Sequence, residues 1–176
     1  VAELLALFTR AGTRGQFLSE MHEVGVLGAL LPEFGRVAAL HQHDLYHVYT
    51  VDIHSILAVR RLYALRAGDW AEEQPELSRL IEELDDPLPL YLAALMHDCG
   101  KGLEGAHSVR GKELVVPVGS RLRLTPRQGE VFEFLVSQHL LMSHTAQRRD
   151  LSDPDLIAEF ARTCGDVEKL TGLTLL

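Results

Sequence analysis

The chain contains few cysteines and no excess of basic residues. Its two cysteines, Cys99 and Cys164, are too few and too unevenly placed for a disulfide framework, so a reducing compartment, the cytoplasm, is the expected location. The formal net charge of −8 provides no basic surface of the kind that binds nucleic acid, so a nucleic-acid partner is not expected.

Long apolar runs are also missing. None approaches the roughly 20 residues that cross a bilayer, and no secretory signal precedes the first helical pattern, so no membrane association is expected. The composition, 47% hydrophobic and 24% charged, is that of an ordinary globular domain. Because the chain begins at Val1 instead of Met and stops within an apolar stretch at Leu176, we expect residues 1–176 to be a single domain of a longer multidomain protein, truncated at its C-terminus.

Apolar residues recur at helical spacing almost throughout, and no two alternating segments are joined by a hairpin turn. This periodicity predicts an all-α fold of about eight helices, with a turn at Leu31–Gly35. The predicted helices are Val1–Arg10, Gly15–Val24, Tyr49–Leu65, Pro75–Leu84, Leu88–Met96, one that starts near His107 and is interrupted or ends near Pro117, one from Thr125 to about His139, one from Asp153 to Gly165, and Val167–Leu176.

Two of these helices carry additional signals. Leu88–Met96 is hydrophobic on every side, which predicts a central, buried helix. Thr125 is followed by Pro126 and, three residues after Thr125, by Gln128, which is the pattern of a capping box with proline at the first helical position.

His97 and Asp98 directly follow this buried helix, and an imidazole and a carboxylate side by side can face one ion. Further histidines, His54, His107 and His139, lie on separate predicted helices and could complete a metal site. Their spacings are long and uneven, so only tertiary packing could bring them together. The alternative is that His97 and Asp98 simply end a helix and that His54 is a partly exposed surface histidine.

Imidazole and carboxylate ligands suit divalent first-row metals, and the absence of a cysteine pair argues against a structural zinc site. These ligands do not distinguish Mn, Mg, Fe, Zn, Co and Ni. An open site of this kind supports metal-assisted hydrolysis of a phosphate ester. Asp98 could bridge two ions, and the ammonium of Lys101 could offset charge that develops on a phosphate oxygen, so both are candidate catalytic residues.

Several segments carry a resemblance to a known family. His54-Ser55-Ile56, followed by Ala94–Gly102 with its His97-Asp98 pair, resembles the HD phosphohydrolase superfamily, whose pattern is H…HD…D. Leu31–Arg36, His43–His54 and His139–Asp150 resemble more closely the HD domain of the bifunctional PII uridylyltransferase/uridylyl-removing enzymes. The likeness covers nearly the whole chain, whereas the HD domain of CCA-adding tRNA nucleotidyltransferases is more distant.

This resemblance implies an HD-domain helical bundle that removes UMP from uridylylated PII, a tyrosyl phosphodiester, with that protein and neighbouring domains as partners. His54 matches the first motif histidine, and His97 and Asp98 match the metal-binding pair. His107 and His139 match further histidines that would serve a second ion.

The chain departs from the family pattern at three places. Ala106 replaces an aspartate before His107, and Cys99-Gly100 replaces Ile-Ala after Asp98. The last motif aspartate is expected shortly after Leu176, with Asp150 as the alternative ligand within the chain.

Two other functions remain open at this point. One is a regulatory or effector-sensing HD module without turnover, and the other is a nucleotide or tRNA-end phosphohydrolase. No nucleotidyltransferase motif is present, so uridylyl addition is not expected of these residues.

Overall fold

The computed structural model describes residues 2–9, 15–41, 49–103, 107–148 and 151–176. Within these residues the chain forms twelve α-helices, one 3₁₀ helix and no strand, which confirms the all-α prediction. The α-helices are α1 (Ala2–Thr9), α2 (Gln16–Glu23), α3 (Val26–Leu30), α4 (Pro32–Gly35), α5 (Val51–Arg66), α6 (Pro75–Glu82), α7 (Leu88–Met96), α8 (His107–Arg121), α9 (Pro126–Gln138), α10 (Leu141–Arg148), α11 (Pro154–Cys164) and α12 (Val167–Leu175). The 3₁₀ helix, Cys99–Gly102, follows α7.

Helix α7 lies at the centre of the fold. All nine of its residues are buried, and it packs against α5 on one side and α9 on another. A helix without a polar face must be covered on every side, so the prediction of a central helix at Leu88–Met96 is confirmed.

Tyr63 joins the N-terminal helices to this centre. Its hydroxyl donates a hydrogen bond to the Phe8 carbonyl at 2.6 Å, and its ring stacks on Tyr91 with centroids 4.3 Å apart. Burial, with the nearby Tyr91, raises the pKa of the Tyr63 phenol far above its ordinary value. The neutral hydroxyl is therefore a permanent donor between α5 and α1.

The helix starts at Thr125 and Asp153 are confirmed. Thr125 Oγ1 accepts a hydrogen bond from the Gln128 backbone, and the Gln128 side chain accepts one from the Thr125 backbone at 2.8 Å, which completes the capping box. Asp153 caps α11 through the Asp155 backbone N–H, and Gly165 ends that helix with a positive φ of 79°.

Arg127, in the first turn of α9, ties that helix to the start of α12. Its guanidinium lies 2.8 Å from Asp166 and 2.7 Å from Glu168. Farther along the same contact, Gly172 packs so closely on α9 that an added Cβ would lie 2.8 Å from a Leu135 methyl group. Helix α12 also packs against α6.

Some helix predictions are wrong. Helix α8 continues through Pro117 to Arg121, because burial of Val115, Val118 and Leu122 offsets the hydrogen bond that proline cannot donate. The expected turn at Leu31–Gly35 contains the short helix α4, which begins with Pro32 at a position where proline is tolerated. Helices α3 and α10 have no counterpart in the prediction.

Among the described helices, none combines the length and the apolar character needed to cross a membrane.

Candidate metal centre

Asp98 lies where α7 meets the 3₁₀ helix, and only 3% of its surface is exposed. Its Oδ2 is 2.8 Å from Lys101 Nζ, 3.2 Å from His97 Nε2 and 3.9 Å from His54 Nε2. Its Oδ1 is 3.9 Å from His139 Nε2. The fold thus brings four of the sequence-predicted site residues, His54, His97, Lys101 and His139, around the carboxylate of a fifth, Asp98, and we call these five residues the Asp98 cluster.

His97 and His139 are held in the same way. Each is the residue after the last turn of a helix, α7 or α9. His97 Nδ1 lies 3.0 Å from the Ala94 carbonyl, and His139 Nδ1 lies 2.8 Å from the Val136 carbonyl. Because a carbonyl only accepts, each Nδ1 carries the hydrogen, and each Nε2 is left to face Asp98.

His54 reaches the cluster from the first turn of α5. Its side chain is 42% exposed, and its ring centroid lies 5.3 Å from that of His97. The ring centroid of His139 lies 5.2 Å from that of His97, so the His97 ring is close to both of the other imidazoles.

Asp52 fixes the turn of α5 that carries His54, and the sequence analysis missed it. Its Oδ2 accepts hydrogen bonds from the Ala39 backbone at 2.8 Å and from His22 Nε2 at 2.9 Å, while Oδ1 accepts from the Ile53 backbone. Burial alone would raise the pKa of Asp52, but hydrogen bonds from Thr50 and these backbone groups lower it on balance. The only sequence signal was an acidic residue in a first helical turn.

Two opposing effects act on the pKa of Asp98. Burial raises it, whereas hydrogen bonds and positive charge from His97 and Lys101 lower it by more, so the pKa lies well below its ordinary value. Asp98 is therefore an anion over the whole physiological range. The neighbouring Cys99 has a pKa raised by burial and by the Asp98 charge, so in the absence of a metal ion it stays a thiol.

The donor set fits a divalent cation. Donor atoms of His54, His97 and Asp98 all lie within 4.8 Å of one another. His97 Nε2 lies 3.2 Å from a carboxylate oxygen of Asp98. Either a proton, which makes His97 the positively charged donor described above, or a metal ion must lie between these two atoms. Two imidazoles and a carboxylate suit first-row divalent metals.

Two predicted ligands, His107 and Asp150, cannot be placed relative to the Asp98 cluster. His107 begins α8, but its side chain is outside the described residues, and so is all of Asp150. One turn after His107, a Cβ added to Gly111 would lie 3.8 Å from the His97 carbonyl. The start of α8 therefore runs beside the backbone of the cluster.

A cavity of about 520 Å³ opens beside the cluster. His54 and His97 form part of its wall. Leu175 and Leu176, at the end of α12, form another part. The cluster is thus accessible from a space large enough for a small organic group.

Comparison with known proteins gives one consistent result. The HD domain family model matches residues 64–164, a segment that includes the His97-Asp98 pair and His139 but begins after His54. Three relatives are bifunctional uridylyltransferase/uridylyl-removing enzymes. The enzyme of Methylococcus capsulatus is 45% identical in an alignment that covers 90% of the chain and 18% of the enzyme. The enzyme of Nitrosospira multiformis is 44% identical over 89% of the chain and 18% of the enzyme. The enzyme of Zymomonas mobilis is 41% identical over 99% of the chain and 19% of the enzyme. The chain thus spans less than a fifth of the length of these curated relatives.

Proposed function

The chain belongs to the HD domain family, and from this premise we propose that it is a metal-dependent phosphodiesterase domain that hydrolyses UMP from uridylylated PII protein. The Asp98 cluster carries this proposal, because it offers imidazole and carboxylate donors beside an open cavity. The relatives support the choice of substrate, since they are named as uridylyl-removing enzymes.

We assign the first ion to His54, His97 and Asp98. His139, which faces the other carboxylate oxygen, suits a second ion together with His107 and Asp150. The metal could be any of the six divalent ions expected from these ligands.

A bound divalent ion would lower the pKa of water and polarise the phosphate. Side chains of the protein contribute orientation and charge. His97 and His139 are oriented by backbone carbonyls, and Asp98 supplies a fixed negative charge. The ammonium of Lys101, 2.8 Å from Asp98, is placed to contact a phosphate oxygen as charge develops there.

The reaction is a simple hydrolysis. The oxygen of water bonds to phosphorus, the bond from phosphorus to the tyrosyl oxygen breaks, and a proton from water ends on the tyrosine. The products are UMP and unmodified PII.

The parent protein and its location belong to the same proposal. We infer that residues 1–176 form one HD domain beside other domains of a longer bifunctional protein, because the relatives are about five times longer. The free, buried Cys99 and Cys164 support a cytoplasmic location.

The test is a hydrolysis assay, first with bis-p-nitrophenyl phosphate and then with uridylylated PII. We expect turnover with Mn²⁺ that a chelator abolishes and fresh Mn²⁺ restores. Absence of turnover of both substrates with each of the six metals would contradict the proposal. Heat of binding for a small effector such as glutamine, without turnover, would instead favour the regulatory module.

A further inference from the structure

We propose that the cavity beside the Asp98 cluster binds the nucleoside part of the substrate. This assignment rests on the proposed function. The cavity lies between α5, the turn after it, α6 and the end of α12. Its volume of about 520 Å³ is within the usual range of small-ligand sites. Its chemistry, apolar walls with one indole, one amide and one guanidinium, suits a nucleoside.

Trp70 provides a surface for the base. It is the single tryptophan of the chain, and 46% of it is exposed although it is large and apolar. The turn that carries it is well defined, since its carbonyl accepts from the Gln74 backbone at 2.7 Å and the preceding Asp69 backbone donates to Ala64. An exposed indole on a fixed turn at a cavity can stack on a nucleobase.

Gln74 is available to bind the edge of the base. It occupies the N-cap position of α6, yet its side chain makes no capping hydrogen bond. A primary amide offers a donor and an acceptor side by side, which match the carbonyl oxygen and the N–H of a uracil edge.

Arg61 supplies the positive charge. It lies seven residues after His54 on α5, so both side chains share one face of the helix and both line the cavity. Arg61 is exposed and forms no ion pair with any residue that the structure describes. Its guanidinium therefore remains available for oxygens of the ribose or the phosphate.

The position of the cluster sets the orientation of the ligand. His54 and His97 belong to both the cluster and the cavity wall, so a phosphate at the cluster lies beside the cavity, whose wall also includes the apolar Leu62, Leu65 and Leu77. The tyrosyl side of the ester belongs to a folded protein and has to stay outside. The nucleoside is the part small enough to be enclosed.

The first test uses Trp70 fluorescence, which reports on this site alone within the chain. We expect UMP to change the emission in a saturable manner and to bind about tenfold more tightly than ribose 5-phosphate, which lacks the base. Arg61→Ala and Gln74→Leu should weaken UMP binding. Arg60→Ala is the matched control, because Arg60 lies on the α5 face next to Gly15 and outside the cavity.

The second test compares two esters, the p-nitrophenyl ester of UMP and bis-p-nitrophenyl phosphate, in Mn²⁺. We expect Trp70→Ala to lower the ratio of their kcat/KM values about tenfold, Trp70→Phe to retain most of it, and Arg60→Ala to leave it unchanged. If Trp70→Ala does not fold, Gln74→Leu takes its place.

The outcomes separate the two proposals. Hydrolysis of neither ester by the unaltered protein contradicts the proposed function. Hydrolysis of both, with the same ratio in Trp70→Ala or with equal binding of UMP and ribose 5-phosphate, contradicts only the nucleoside site.

Discussion

The histidines of the Asp98 cluster come from two kinds of helix terminus. His97 and His139 follow the last turns of α7 and α9, and their side chains are 11% and 4% exposed. His54 lies in the first turn of α5, and its side chain is 42% exposed. The first two rings are each held by a carbonyl three residues earlier, whereas the turn that carries His54 is held through Asp52.

The difference follows from helix geometry. The last four carbonyls of a helix have no partner within the helix. Ala94 and Val136 are among those carbonyls, and the imidazole that follows each helix satisfies them. A first turn offers unpaired N–H groups instead. His97 and His139 are thus fixed in advance and largely buried, whereas the half-exposed side chain of His54 has more room to adjust to a ligand.

The largest effect is expected from Asp98→Asn, because both kinds of terminus meet at this carboxylate. Loss of a direct ligand should weaken Mn²⁺ binding by more than the about 10- to 100-fold typical of outer partners, and hydrolysis should fall with it. Titration calorimetry measures the affinity, and thermal melting checks the fold. Asp85→Asn, at an exposed position, is the control and should bind as before.

Replacing single histidines tests the comparison directly. We expect His97→Ala to weaken Mn²⁺ binding about tenfold more than His54→Ala, because a ring that is already immobilised loses less entropy on binding. Calorimetry on both variants, with the exposed His41→Ala as control, gives the ranking. A larger loss in His54→Ala would show that orientation by the helix ends is not decisive.

The pH dependence of stability isolates the carboxylate. The folded-state pKa of Asp98 lies below its ordinary value of about 3.9. The unfolded chain therefore takes up the proton first as the pH falls, and stability present above the ordinary pKa is lost as the pH approaches the folded one.

Urea denaturation of the chelator-treated protein between about pH 5 and pH 2 should thus show a steeper loss of the free energy of unfolding than Asp98→Asn shows. Glu33 and Asp52 also have lowered pKa values, but both residues are present in the two proteins, so their contributions to the pH dependence cancel in the comparison. Parallel curves for the two proteins would contradict the assigned direction.

The smallest effect is expected at Gly111, where α8 packs on the ends of α7 and α9. An added Cβ would lie 3.0 Å from Val136 Cγ1, so Gly111→Ala should destabilise the fold by about 1 kcal/mol. It should weaken Mn²⁺ binding less than His54→Ala does. A Cβ added at Gly129 would meet no atom within 4 Å. Gly129→Ala should therefore stabilise α9 by about 0.5 to 1 kcal/mol in the same denaturation assay.

Sequence patterns predicted the elements whose signals are local. The apolar character of Leu88–Met96 predicts burial, and the capping box at Thr125 predicts the start of α9. Helix α10 was not predicted, because Ser143, His144 and Thr145 interrupt the apolar periodicity. The predicted break of α8 at Pro117 is wrong, because the packing of α8 against α9 outweighs the low intrinsic helix propensity of proline.

The candidate site shows the same limit. The His97-Asp98 pair is adjacent in sequence and could be found directly. The contact between His22 and Asp52 joins residues 30 apart, and it depends on how α2 packs against α5. No local pattern carries that information. The roles of the clustered residues as ligands stay predictions that the proposed titrations address.

The wide separation of His54 and His139 along the sequence links the site to folding. In an unfolded chain these rings are joined by a long flexible loop, and closing it costs conformational entropy that an ion alone would have to offset. The native packing of α5, α7 and α9 has already met that cost. A divalent ion should therefore bind the native state in preference to the unfolded one, raise the melting temperature further as its free concentration increases above its Kd, and act as a cross-link between helices.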